Sequence, residues 1–157
     1  VLINHIANDG KVFGICLGAQ LLASALGSTV YKGEYREAGW RSVDFINHKI
    51  LKNFPDSAMV FHWHSDTFEL PKNMELLASN DAYQNQAFCS SNRRLFGIQF
   101  HLESTQDSVG SILHNDSSFL SSSSQFVSSA HQIEADSINI TAANKLMFDM
   151  LDIWSEA

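Results

Sequence analysis

The chain has 157 residues, 45% of them hydrophobic, and a formal net charge of −7. That length and apolar content suit one globular domain over residues 1–157, and the acidic balance with scattered Lys and Arg excludes an extended nucleic-acid-binding face. No apolar run approaches the roughly 20 residues of a bilayer span and no basic-then-apolar leader opens the chain, so no membrane contact and a cytoplasmic location are expected.

The chain opens on Val1 rather than Met, directly on what reads as the end of a helix (Val1 to Ala7) before the turn Asn8-Asp9-Gly10. This suggests upstream sequence. Lys11 to Ile15 is a short, mostly apolar run, the pattern of a strand buried on both faces. In the segment after it, Leu17, Leu21, Leu22, Ala25 and Leu26 recur at helical spacing, and Gly27 is placed to end that helix. Ser28 to Lys32 and Ala38 to Ile46 read as strands around a polar turn, Gly33 to Glu37, and Ala58 to Trp63 as another. Glu75 to Ser79 is a weaker strand candidate.

Gln86 to Ser90 and Arg94 to Phe100 resemble a hairpin that ends at His101. Val109, Ile112 and Leu113 keep a helical period. Residues 115–131 are rich in serine without periodicity and read as a surface connection. Thr141 is placed to cap a last helix whose stripe is Ala143, Leu146, Met147, Met150, Leu151 and Trp154. This order predicts an α/β fold, a mostly parallel sheet flanked by helices.

Gly14-Ile15-Cys16-Leu17-Gly18 lies between the first strand and the first long helix as G-x-C-x-G, the cysteine counterpart of the serine nucleophile elbow. Such a turn is sharp, so Gly14 and Gly18 are expected where a side chain would collide. A thiol at a helix N-terminus sits near unpaired N–H groups and the positive end of the helix dipole, which favour the thiolate. The Leu17 N–H is placed to bond a developing oxyanion. Against this stands the common fate of a free cysteine, a small buried hydrophobe; Cys89 is read that way, and Trp40 as packing.

His101 and Glu103 stand two residues apart at a strand end, so in extended backbone both side chains leave on one side. A histidine oriented by a carboxylate is what activation of a thiol requires. By itself His-x-Glu is more often a solvated strand end than a catalytic dyad.

The elbow GICLGAQLLA followed by GIQFHLES, with VFHWHSDTFELP (Val60 to Pro71) between them, closely resembles the class I glutamine amidotransferases, the family that includes the amidotransferase domain of GMP synthase. The likeness covers nearly the whole chain in order. It implies a flavodoxin-like fold, Cys16 as nucleophile, His101 as general acid/base, Glu103 as the residue orienting His101, and Gln20 as a contact of substrate glutamine. His64, Ser65 and Asp66 align with the loop that grips the amino-acid end of glutamine, Ser65 replacing a usual glycine. Leu102 replaces the proline of the family's His-Pro-Glu and removes no reacting group.

The family's first strands and the Gly-rich loop that supplies a second oxyanion N–H have no counterpart after Val1, so the resemblance makes this a C-terminal portion of such a domain. It further implies a glutamyl thioester, no metal or organic cofactor, and a synthetase partner, fused or separate, that takes the ammonia. No P-loop or other acceptor-activating motif is present. Two rival readings stay open here: a γ-glutamyl hydrolase or peptidase with the same chemistry, and a non-catalytic binding module of the same fold.

Overall fold

The computed structural model describes residues 1–157, and its strands form a single sheet. In chain order the elements are α1 (Leu2–Ala7), β1 (Val12–Ile15), α2 (Leu17–Ala25), β2 (Val30–Phe45), β3 (Ser57–Phe68), β4 (Met74–Ser79), β5 (Ala87–Ser90), β6 (Leu95–Ile98), α3 (Gln106–Asn115), α4 (Ala130–Ala135) and α5 (Ile140–Ser155). The strands lie in the order β1-β6-β5-β4-β2-β3. No helix is long and apolar enough to cross a membrane.

The α/β class holds, but the sheet is mixed rather than mostly parallel. Only β1 and β6 run parallel, while β6–β5, β5–β4, β4–β2 and β2–β3 are antiparallel. Turns such as Ser91 to Arg94 reverse the chain directly between sequential neighbours, β4 returns to β2 after the antiparallel β3, and β1 meets β6 in parallel only after the long excursion through the rest of the sheet.

Two adjacent expectations are also corrected. Gly33 to Glu37 is not a turn between strands; it lies within β2, which continues through a register shift against β3 between Lys32 and Glu37. His64, Ser65 and Asp66 are not on a loop; they belong to β3, with Asp66 opposite Lys32.

Alternation along the strands feeds a core on each face. In β5, Phe88 joins Ala19, Leu22, Ala23 and Phe68 beneath α2, whereas Ala87 and Cys89 join the larger core with Phe96, Phe100 and the α5 residues Ala143, Leu146 and Met150. The apolar stripe expected on α2 is turned: Ala19, Leu22 and Ala23 are buried, while Leu17 and Leu21 face solvent. Small alanines let this helix lie close on the sheet.

The last helix begins at Ile140 without a side-chain cap, so Thr141 is not its cap. Of its stripe, Ala143, Leu146 and Met150 lie in the core and Met147 and Trp154 pack at the margin, whereas Leu151 does not pack against the core and Ile153 does. The serine-rich segment is tied to the sheet: Ser128 N–H donates to the Ala38 carbonyl at 2.9 Å and Ser124 Oγ to the Arg36 carbonyl at 2.8 Å.

Candidate active site

The parallel pairing of β1 with β6 sets Ile15 beside Ile98, and the chain leaves both strands at the same sheet edge. Cys16 follows immediately, its N–H donating to the Ile98 carbonyl at 2.8 Å, and its carbonyl accepts from Ala19 and Gln20 to open α2. Its backbone has φ +50° and ψ −109°, in the left-handed half of the map that side-chain-bearing residues rarely enter.

The steric demand of this elbow falls on Gly14 alone. A Cβ there would meet the Gly18 carbonyl oxygen at 2.5 Å, whereas a Cβ at Gly18 meets nothing within 4 Å. It is the Gly18 backbone that crowds Gly14, the reverse of a need for glycine at both positions. Leu17 is the first residue of α2, where N–H groups have no partner inside the helix.

His101 arrives from the other side of the same edge. It forms an isolated bridge with Phe61 of β3, its N–H donating to the Phe61 carbonyl at 2.8 Å. Through Nδ1 its ring is hydrogen-bonded to Glu103 Oε1 at 2.6 Å, and the ring lies within interaction range of the Cys16 side chain. Burial disfavours a charged imidazole, yet the neighbouring Cys16 and Glu103 overcome it and raise His101 to about 9. Burial would raise the Glu103 carboxyl, but the hydrogen bond and charge of His101 hold it below its ordinary value.

One residue on α5 steadies this segment, and its position in the apolar stripe gave no signal of it. Asn144 Nδ2 donates to the carbonyls of Leu102 and Ser104, at 2.7 and 3.0 Å, on either side of Glu103. Leu102 is fully buried where the family pattern has proline, so packing supplies rigidity there.

Gln20, one turn after Cys16, is not an exposed helix glutamine. Its Nε2 donates to the Asp66 carbonyl at 3.1 Å and to Gln99 Oε1 at 3.0 Å, and Gln99 Nε2 lies 3.6 Å from Cys16 Sγ. Gln99 was missed although alternation signals it: with Phe100 buried in the core, Gln99 and His101 leave the strand on the other side.

His64 is buried and turned away from the elbow. Its Nδ1 meets the Asp66 carbonyl at 3.1 Å and its Nε2 meets Glu37 Oε2 at 3.1 Å. Ser65 is half-buried and Asp66 exposed, so both stay accessible at the edge.

Glu37, His62 and His64 bring ligand atoms within 4.8 Å of one another, the only such set with metal-ligating types. Both Glu37 oxygens are already taken, accepting from Asn80 at 2.6 Å and Gln86 at 2.7 Å, which marks a hydrogen-bonded cluster rather than a vacant metal centre. His62 is wholly buried, and burial drives it down to about 3, so it stays neutral.

Cys89 and Trp40 lie in the core as expected. Burial pushes the Cys89 thiol up to about 12, which makes it a poor nucleophile. A cavity of about 280 Å³ lies beside the dyad, lined by Phe61, His101, Glu103, Ser104 and Thr105. A larger cleft of about 540 Å³ opens farther out between β2 and the serine-rich segment, and shares Ser65 with the expected glutamine site.

Residues 1–118 match the profile of the family described as glutamine amidotransferase class-I. The chain is 37% identical over 122 residues to a glutamine-hydrolyzing GMP synthase of Tropheryma whipplei, covering 76% of this chain and 24% of that protein. It is 35% identical over 104 residues to one subunit of the glutamine-hydrolyzing GMP synthase of Picrophilus torridus, covering 65% of this chain and 55% of the relative. A solved glutamine amidotransferase structure from Methylobacillus flagellatus superposes with a TM-score of 0.92 at 26% identity, covering 99% of this chain and 66% of the other. The chain thus spans about a quarter of the length of the full GMP synthase it matches.

Proposed function

The chain belongs to the class I glutamine amidotransferase family, and from that premise we propose that it hydrolyses the side-chain amide of glutamine through a glutamyl thioester on Cys16. The observation that carries this reading is the His101 ring, beside the Cys16 side chain and hydrogen-bonded to Glu103, at a sheet edge where a helix begins. A nucleophile, a base and an orienter in contact are the minimum for covalent acyl transfer.

In this mechanism the Cys16 thiolate attacks the amide carbon, and the Leu17 N–H receives the negative charge that develops on oxygen. His101, protonated at neutral pH, gives its proton to the departing ammonia. It then takes a proton from the water that cleaves the thioester to glutamate. Glu103 keeps the ring in place throughout. Gln20 stiffens the pocket wall beside Cys16, and the backbone of His64, Ser65 and Asp66 is proposed to face the amino-acid end of glutamine. The ammonia passes to an acceptor activated by a synthetase partner of the GMP synthase kind, a proposal supported by the names of the two synthase relatives.

Ammonia release tests this directly, with free glutamine and γ-glutamyl peptides assayed side by side. Glutamine is expected to be hydrolysed, and Cys16→Ala to lose more than about a thousandfold in rate. Preference for γ-glutamyl peptides, or activity that survives the substitution, contradicts the proposal.

A further inference from the structure

We propose that Gln99 is a further catalytic residue, whose side-chain N–H donates to the Cys16 sulfur and steadies its thiolate, and that Gln20 positions it. The assignment rests on Cys16 being the nucleophile.

Which end of the Gln99 amide faces the sulfur is settled by the chain of bonds behind it. A backbone carbonyl can only accept, so the Gln20 group pointing at the Asp66 carbonyl, 3.1 Å away, must be its NH2. The same NH2 donates to Gln99 at 3.0 Å, so the Gln99 end facing Gln20 must be oxygen. That leaves the Gln99 NH2 directed at Cys16 Sγ, at 3.6 Å. The Asp66 carbonyl is held in turn by His64 Nδ1, and His64 by the buried Glu37. Flipping the Gln99 amide, normally an open choice for glutamine, would set its NH2 against the Gln20 NH2 and turn its oxygen toward the sulfur.

Gln99 is fully buried and Gln20 nearly so, and both amides are held by hydrogen bonds within the chain. A thiolate accepts a hydrogen bond far better than a thiol, so a fixed donor favours the charged form. His101 approaches the sulfur as well, backed by Glu103, so the thiolate has a charged partner and a neutral one.

The test is the rate of iodoacetamide alkylation at Cys16, followed by peptide mass mapping across pH, in the wild-type chain, Gln99→Leu and Gln99→Glu. Gln99→Glu keeps the acceptor for Gln20, so it preserves the packing while replacing the donor with a carboxylate. Cys89, fully buried, reports folding by staying unmodified. At neutral pH the rate is expected to fall about 3- to 10-fold in Gln99→Leu, and further in Gln99→Glu, with the alkylation midpoint moving to higher pH in both. Folded variants that both alkylate within about twofold of wild type, at an unchanged midpoint, overturn the assignment. Glutamine hydrolysis by the wild-type chain is scored separately. A chain that shows the alkylation shift but no glutaminase activity loses the proposed substrate and keeps Gln99 as the thiolate's donor.

Discussion

At His101 two opposed effects meet, and the neighbouring groups win: burial alone would keep the ring neutral, yet it is raised to about 9 beside Cys16 and Glu103. The ring is therefore protonated at neutral pH and can act as an acid toward departing ammonia. Since Glu103 is only partly shielded from water, its share of that shift is modest. In Glu103→Gln the basic limb of the pH–rate profile is expected to move down by about one pH unit, as seen in kcat/KM against pH; an unmoved limb would show that Glu103 does not govern the ring. These residues were legible because each is announced by a local rule: the elbow by its glycine and the strand-to-helix switch, the dyad by period-two alternation. Gln99 obeys the same alternation, but its partner Gln20 lies far away in sequence, and no local pattern records that meeting.

Within the β2–β3 hairpin the buried cluster of Glu37, His62 and His64 makes the fold sensitive to acid. Burial would raise the Glu37 carboxyl, but the polar groups of Asn80, Gln86 and His64 around it outweigh that and hold it well below its ordinary value of 4.5. It stabilises fully above pH 4.5, and this is lost as pH falls toward 2. His62 is kept neutral down to about 3 against an ordinary 6.5, so the unfolded chain gains a proton first and stability also falls from pH 6.5 downward. His101 has the opposite sign: its contribution is complete below 6.5 and disappears as pH rises through about 9. Urea unfolding across pH is thus expected to find maximum stability near 6.5, with a loss on the order of a few kcal/mol by pH 4; His62→Leu should remove much of that acid loss, and a flat profile from pH 6.5 to 4 would contradict the account. None of this was visible in the sequence, where Glu37 sits in a polar stretch that reads as a turn. The bulge that carries it into the interior depends on pairing with β3, a contact between segments far apart in the chain.

Across the whole molecule, the approximate strand positions, apart from the false break within β2, and the flanking helices follow from hydrophobic period and turn residues. Strand direction does not, because apolar runs such as Ala87–Ser90 are buried on both faces whichever way the neighbour runs. The result is a mixed sheet in which one parallel pair, β1 with β6, meets an antiparallel set, and that junction is where Cys16, Gln99 and His101 come together. The second cysteine lies buried in the core with its thiol raised by burial, whereas Cys16 is only partly buried at the sheet edge. A glutamine-mimicking electrophile, 6-diazo-5-oxo-L-norleucine, tests the role of Cys16 most directly when the labelled chain is mapped by mass spectrometry. One adduct is expected, on Cys16, suppressed by excess glutamine; labelling of Cys89 to the same extent, or a Cys16 adduct that glutamine does not suppress, would contradict that role.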